Sequence, residues 1–264
     1  MTRVNRGMAS RAVRTGMWLC LSLVAAGASA EELTAAQIVE RAHAAAGGQA
    51  WLAAGTNVMR GHATLCRDGN PSRCVQSDRY EMYRVYPTKL EHGAHASSGK
   101  FRLDAYAGDR VLFKVAFDGE RSYDQNGPVP PERASSDEVS AFGFSAIRFA
   151  LQPGFAVERM TDDQVEGHAC YFVRVTDPTG TRTLFGIDQQ TYAVRSAGWQ
   201  TPKGFHQRLY SDFYKVGEHF VQPGRVRHFY DGVKAVDIRW TSAEIGRPIP
   251  DATFVLGPSV ESGG

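Results

Sequence analysis

From Asn57 onward the apolar positions recur with a period of two. In 110–117, Val111, Phe113, Val115 and Phe117 alternate with Arg110, Leu112, Lys114 and Ala116; in 100–105, Phe101, Leu103 and Ala105 alternate with Lys100, Arg102 and Asp104. Successive side chains of a strand point to opposite faces, so this is the pattern of half-buried strands in an antiparallel sheet. Further strands are predicted at 156–165, 169–176, 181–188, 192–199, 205–216, 219–230 and 233–244, separated by Glu166-Gly167, Pro178-Thr179-Gly180 and Asp231-Gly232. Asp231-Gly232 between two long runs is a strong hairpin signal, because both central residues of the favoured turn need positive φ.

Two segments leave this period. Residues 34–46 read as a helix that Thr34 and Gln37 open as a capping box and Gly47-Gly48 stops, with a short turn through Trp51 and Leu52 after it. Past the Gly127-Pro128-Val129-Pro130-Pro131 loop, Ser135-x-x-Glu138 opens a second helix carrying Val139, Phe142, Phe144, Ile147, Phe149 and Leu151 to Pro153-Gly154. A long meander must cover its apolar face, and these helices are the only candidates. The expected fold class is mainly β (α+β): a strongly curved antiparallel sheet or incomplete barrel with helices packed in its mouth. No composition shift, internal repeat or heptad divides residues 31–264, which are expected to form a single domain.

The first segment changes what the charge means. Arg3, Arg6, Arg11 and Arg14 precede an apolar stretch from Trp18 to Ala26 that ends in Ala28-Ser29-Ala30, the layout of a cleavable signal peptide over 1–30 with cutting before Glu31. The stretch is shorter than the roughly 20 apolar residues of a membrane span, so the protein is read as periplasmic and not integral to a membrane. Cleavage removes four of 30 Lys and Arg and none of 28 Asp and Glu, turning a formal net charge of +2 into −2. The mature chain therefore offers no basic footprint for nucleic acid. Of the remaining cysteines, Cys66 and Cys74 flank a turn-like stretch and are expected to form a disulfide across a hairpin in an oxidising compartment. Cys170, beside Tyr171, Phe172 and Val173, is read as an inert core thiol.

Chemical motifs are set aside one by one. His92-x-x-His95 would place its two rings on opposite faces of a strand, which is no metal pair. Ser97-x-x-Lys100 precedes a strand instead of opening a helix and has no companion motif. There is no Gly-x-Ser-x-Gly elbow, P-loop, dinucleotide fingerprint or His-Glu-x-x-His. The expectation is a protein without enzymatic activity, cofactor or metal.

The order of short motifs adds a resemblance. A helix ending in Ala46-Gly47-Gly48, a strand with Arg60-Gly61, then Gly186-Ile187-Asp188-x-x-Thr191, Tyr210-Ser211-Asp212-Phe213, Phe229-Tyr230-Asp231-Gly232 and Ile249-Pro250-Asp251-Ala252-Thr253-Phe254 together resemble the LolA-like outer-membrane lipoprotein-sorting proteins. The resemblance implies an unclosed antiparallel β-barrel, helices as a lid over its concave face, and an apolar cavity for an acyl chain. The expected function is a periplasmic carrier or sensor of an acyl chain, its partner a lipid or lipidated protein. The alternative is an envelope module that docks a partner protein without lipid. Cavity candidates taken from the apolar faces are Phe101, Leu103, Phe113, Phe117, Phe142, Phe144, Leu209, Phe213, Val236, Ile238 and Trp240.

Overall fold

Two antiparallel meanders meet at one ladder. In a computed structural model, β1 (Thr56–Cys66), β2 (Cys74–Val85), β3 (Lys100–Ala107), β4 (Arg110–Phe117), β5 (Ser122–Asp124) and β6 (Gly127–Val129) run outward in sequence order. The chain then returns from the other side through β7 (Ala156–Val165), β8 (His168–Thr176), β9 (Arg182–Asp188), β10 (Val194–Thr201), β11 (Gly204–Val216), β12 (Phe220–Tyr230) and β13 (Val233–Ile245). The sheet order is β6-β5-β4-β3-β2-β1-β13-β12-β11-β10-β9-β8-β7, and its two ends, β6 and β7, do not pair. The fold is therefore an unclosed antiparallel barrel.

The structure describes residues 32–66, 69–88, 99–131, 145–201 and 204–257. The expected export signal, His92, His95, Ser97, Phe142, Phe144 and the 135–144 part of the predicted second helix lie outside the described residues. From Leu33 onward the described residues form one compact unit. Among the described residues no helix is long and apolar enough to cross a membrane.

The helices form where local chemistry demands. In α1 (Ala35–Ala46) the Thr34 hydroxyl accepts from the Gln37 amide at 3.2 Å while the Thr34 amide donates to Gln37 Oε1 at 2.8 Å, the reciprocal capping box read from the sequence. Gly47 ends it at φ 128°, and a Cβ there would lie 2.3 Å from the His219 carbonyl oxygen, so the helix end docks directly on the approach to β12. The buried stripe Ile38, Val39, Ala42 and His43 faces the sheet. After α2 (Gln49–Leu52), the next described helix is α3 (Ser145–Phe149). It lies in the link between β6 and β7, which must carry the chain from one edge of the sheet to the other. Ala146, Ile147 and Ala150 join Ile38, Val39, Trp51, Val173, Phe185 and Ile187 in the main core cluster. The two helical segments are also tied directly, His43 Nε2 lying 2.7 Å from the Ile147 carbonyl oxygen.

Turn chemistry matches the sequence. Asp231 and Gly232 have φ of 45° and 78°, the paired positive values of a tight hairpin between β12 and β13. Cys66 and Cys74 face each other across β1 and β2 and are disulfide-bonded. Cys170 is a free thiol without solvent exposure, pushed up to about 11 by burial and then by the nearby Asp188 carboxylate, which fits the inert reading.

The seam between the two meanders is the antiparallel β1–β13 ladder, with a register shift at Arg60/Gly61. A Cβ on Gly61 would lie 2.0 Å from the Arg239 carbonyl oxygen, a backbone atom that cannot rotate away. Gly61→Ala is expected to lower unfolding stability by about 1–3 kcal/mol, the usual cost of forcing an atom into a filled site. Urea unfolding followed by circular dichroism checks this, the expected result being a lower midpoint with an unchanged slope.

Candidate functional site: an arginine-lined cavity under the helices

Five adjacent strands build one wall. Tyr80, Met82 and Arg84 on β2, Met59 on β1, Ile238 and Trp240 on β13, Val226 and His228 on β12, and Arg208 and Tyr210 on β11 line a narrow cavity. Positions two apart on a strand share a face, which is why Tyr80, Met82 and Arg84 arrive together, and Tyr86 follows them just past the strand. Trp51 of α2 and Arg148 of α3 close the helical side. The free space is ≈ 640 Å³ counted out to the mouth.

The lining is mostly apolar or aromatic, yet it holds three arginines and, among the described residues, no Asp or Glu. Arg84, Arg148 and Arg208 are 6%, 4% and 7% exposed. Burial pulls Arg84 down to about 10, an effect that the Tyr86 hydroxyl opposes and the neighbouring Arg148 and Arg208 charges reinforce. Burial lowers Arg148 and Arg208 as well. Aromatic faces lie against these cations. Arg148 sits 4.4 Å from the Trp51 ring centre and 4.1 Å from that of Tyr86, and Arg84 lies 4.6 Å from the same Tyr86 ring. Burial raises the Tyr86 phenol, but Arg84 and Arg148 together with hydrogen bonds from Asn57 and Arg148 outweigh it, so Tyr86 titrates below its ordinary value.

At the β11–β12 end the polar groups form a second knot. Arg208 Nε donates to His206 Nε2 at 3.0 Å, which fixes that nitrogen as the unprotonated one. The His206 ring lies 4.5 Å from that of Trp199 and 5.4 Å from that of His228. Burial, then the Arg208 charge, then His206 hold His228 well below the usual histidine value.

The sequence-predicted cavity residues divide. Ile238 and Trp240 line the cavity. Leu103 is in the main core, and Phe113, Phe213 and Val236 pack against it half-buried. Phe101 and Phe117 stack on each other with ring centres 6.3 Å apart on β3 and β4. Leu209 falls between Arg208 and Tyr210 and so points to the other face, where it clusters with Val165 and Cys170 against Phe172 and Phe229. Sequence reasoning missed all three arginines, Tyr86, Tyr210 and His228. The available signal was parity: Arg84 follows Tyr80 and Met82 at strand spacing, on a face the pattern marks as apolar.

Two histidines in and beside this site are held neutral by burial, His228 in the lining and His43 under α3. Both have folded values below the ordinary 6.5. Above about pH 6.5 neither state binds the extra proton and the stability is complete; below it the unfolded chain takes protons that the folded one refuses. Stability therefore falls as pH drops from about 6.5 toward 5, by at most about 1.4 kcal/mol per pH unit for each histidine. His228→Gln is expected to remove about one proton's worth of that slope, measured as urea midpoints across this window. An unchanged slope would mean that His228 is protonated in the folded protein.

No protein-family model matches the chain, and no curated protein matches it. Solved structures do. An outer membrane lipoprotein-sorting protein domain from Vibrio parahaemolyticus superposes with a TM-score of 0.52 at 10% identity, over 83% of this chain and 94% of that one. A LolA superfamily protein from Nitrosomonas europaea gives 0.51 at 13% identity, over 85% of this chain and 98% of that one. At such identities the likeness establishes the fold, and this chain is an open half-barrel of the LolA type.

Proposed function

We propose that this protein is an exported, non-enzymatic carrier or sensor that shelters an acyl chain in the half-barrel cavity. One observation carries the reading: an apolar and aromatic cavity stands between the concave sheet and a helical cover, where a packed core would leave no space. Each methylene moved into it from water is worth about 0.8 kcal/mol. Among the described residues the lining has no carboxylate, serine or cysteine. The Cys66–Cys74 disulfide supports an oxidising compartment, in keeping with the export signal. The cited neighbours support the carrier reading by fold.

The cavity is narrow, so loading requires its helical side to move. α3 is the part suited to moving, because it is a short helix in the link between the two free edges and not part of the sheet. The alternative, docking of a partner protein on a free edge, has less support. Edge strand β7 carries Glu158, Asp162 and Asp163, and charge on an edge discourages strand addition.

Trp51 and Trp240 in the lining provide an internal probe. A brominated acyl chain is expected to quench tryptophan fluorescence saturably, and protein purified from periplasm to carry acyl-bearing material visible by native mass spectrometry. Met82→Trp fills the space; excluding even two methylenes costs about 1.6 kcal/mol, more than tenfold in affinity. A folded Met82→Trp protein that binds as tightly as wild type would remove the cavity from the mechanism.

A further inference from the structure

Arg148 is the least explained residue of the site. It is 4% exposed, and its Nη1 is buried with no hydrogen-bond partner. An orphaned donor on a buried guanidinium costs more than one on a neutral group, and arginine cannot shed the charge by deprotonating. The ring faces of Trp51 and Tyr86 offset part of the charge and the Tyr86 hydroxyl takes one hydrogen bond, which leaves the Nη1 edge unanswered. The group that satisfies such an edge is an oxyanion, which accepts two parallel N–H bonds from one guanidinium.

The position of Arg148 narrows the ligand further. Arg148 and Tyr86 line both the inner cavity and a second, outer pocket open to solvent, whose other walls include His43, Leu52, Pro87 and Leu151. They form the partition between the two spaces. Arg84 approaches the same Tyr86 ring, which adds a second positive charge at the partition. Inward from it the wall turns apolar through Met59, Met82, Ile238 and Trp240.

Building on the acyl-carrier reading, we propose that the cargo is a long-chain amphiphile with an oxyanion head, carboxylate or phosphate, held at the Arg148–Tyr86 partition with its chain in the inner cavity. The head supplies the acceptor that Arg148 Nη1 lacks, and the chain fills the apolar end.

Displacement of a bound uncharged fluorescent acyl probe by oleate, oleyl phosphate and oleyl alcohol tests this, since the three share one chain. At least one anion is expected to bind roughly tenfold or more tighter than the alcohol, the scale of a charge-assisted hydrogen bond. Which anion wins identifies the source, a free fatty acid or a lipid phosphate. Arg148→Met is expected to abolish the anion advantage, so that on that variant oleate and oleyl phosphate bind within about twofold of oleyl alcohol. If that variant fails to fold, Arg84→Met reads the same partition, and the wild-type ranking decides in either case. Equal binding of all three ligands overturns the head site and leaves the carrier standing. If none of them binds, the acyl-carrier reading itself falls.

Discussion

The β1–β13 ladder is the constraint from which the rest of the molecule follows. It joins the first strand to the last, so the chain must leave the seam in one direction, end at β6, and begin again at the opposite edge with β7. The link between those edges has to cross the sheet. A crossing segment placed on the concave face buries its own apolar side chains there, which is where Ala146 and Ile147 of α3 and the following Ala150 are found beside the α1 stripe. The cover over the cavity is thus a product of topology. The seam depends in turn on Gly61, whose missing side chain lets the backbone of β1 approach that of β13.

A cavity bounded this way differs from a core in one respect: its polar groups need not be satisfied by the protein alone. Elsewhere in the fold buried charge is paired conventionally, as where Arg195 Nε donates to Asp188 at 2.6 Å and that carboxyl is held down to about 2 despite the opposing effect of burial. Arg225 likewise meets both oxygens of Asp237, at 2.9 and 2.7 Å. The cavity arginines are set against aromatic faces. Arg195 and Arg225 thus have carboxylate pairs, whereas Arg84, Arg148 and Arg208 lie over the rings of Tyr86, Trp51 and Trp199.

The parts legible in the sequence were those decided locally. The Thr34–Gln37 capping box spans three residues and the Asp231-Gly232 turn two, so their chemistry is complete within a short window. The Cys66–Cys74 bridge closes a short excursion between strands that pair with each other. Leu209 shows where such reasoning stops. Its segment is buried on both faces, because Val165, Cys170, Phe172 and Phe229 cover the Leu209 side while Arg208 and Tyr210 face the cavity. With both faces buried, alternation marks a strand without saying which parity points inward. Arg148 was illegible for a different reason. It stands between core residues Ile147 and Phe149, and only the crossing link brings it against Trp51 and Tyr86.

On the acyl-carrier reading proposed above, the placement of Arg148 on α3 and Arg84 on β2 would separate two tasks that an apolar pocket alone would confound. A ligand shifts a conformational equilibrium only by its difference in affinity for the two states. An acyl chain lying along Met59, Met82 and Ile238 touches the sheet whether α3 is down or away, so it contributes affinity with little preference for closure. An oxyanion at the partition touches both helix and sheet only when α3 is down, and so it favours the closed form. Without it, closure would rest on the apolar contacts of Ala146 and Ile147 and on the 2.7 Å contact between His43 and the Ile147 carbonyl, opposed by the like charges of Arg84 and Arg148 at the same Tyr86 ring. In the proposed carrier, release would then begin with competition for the head, after which the helix could lift and the chain leave without the tail first being stripped from the wall.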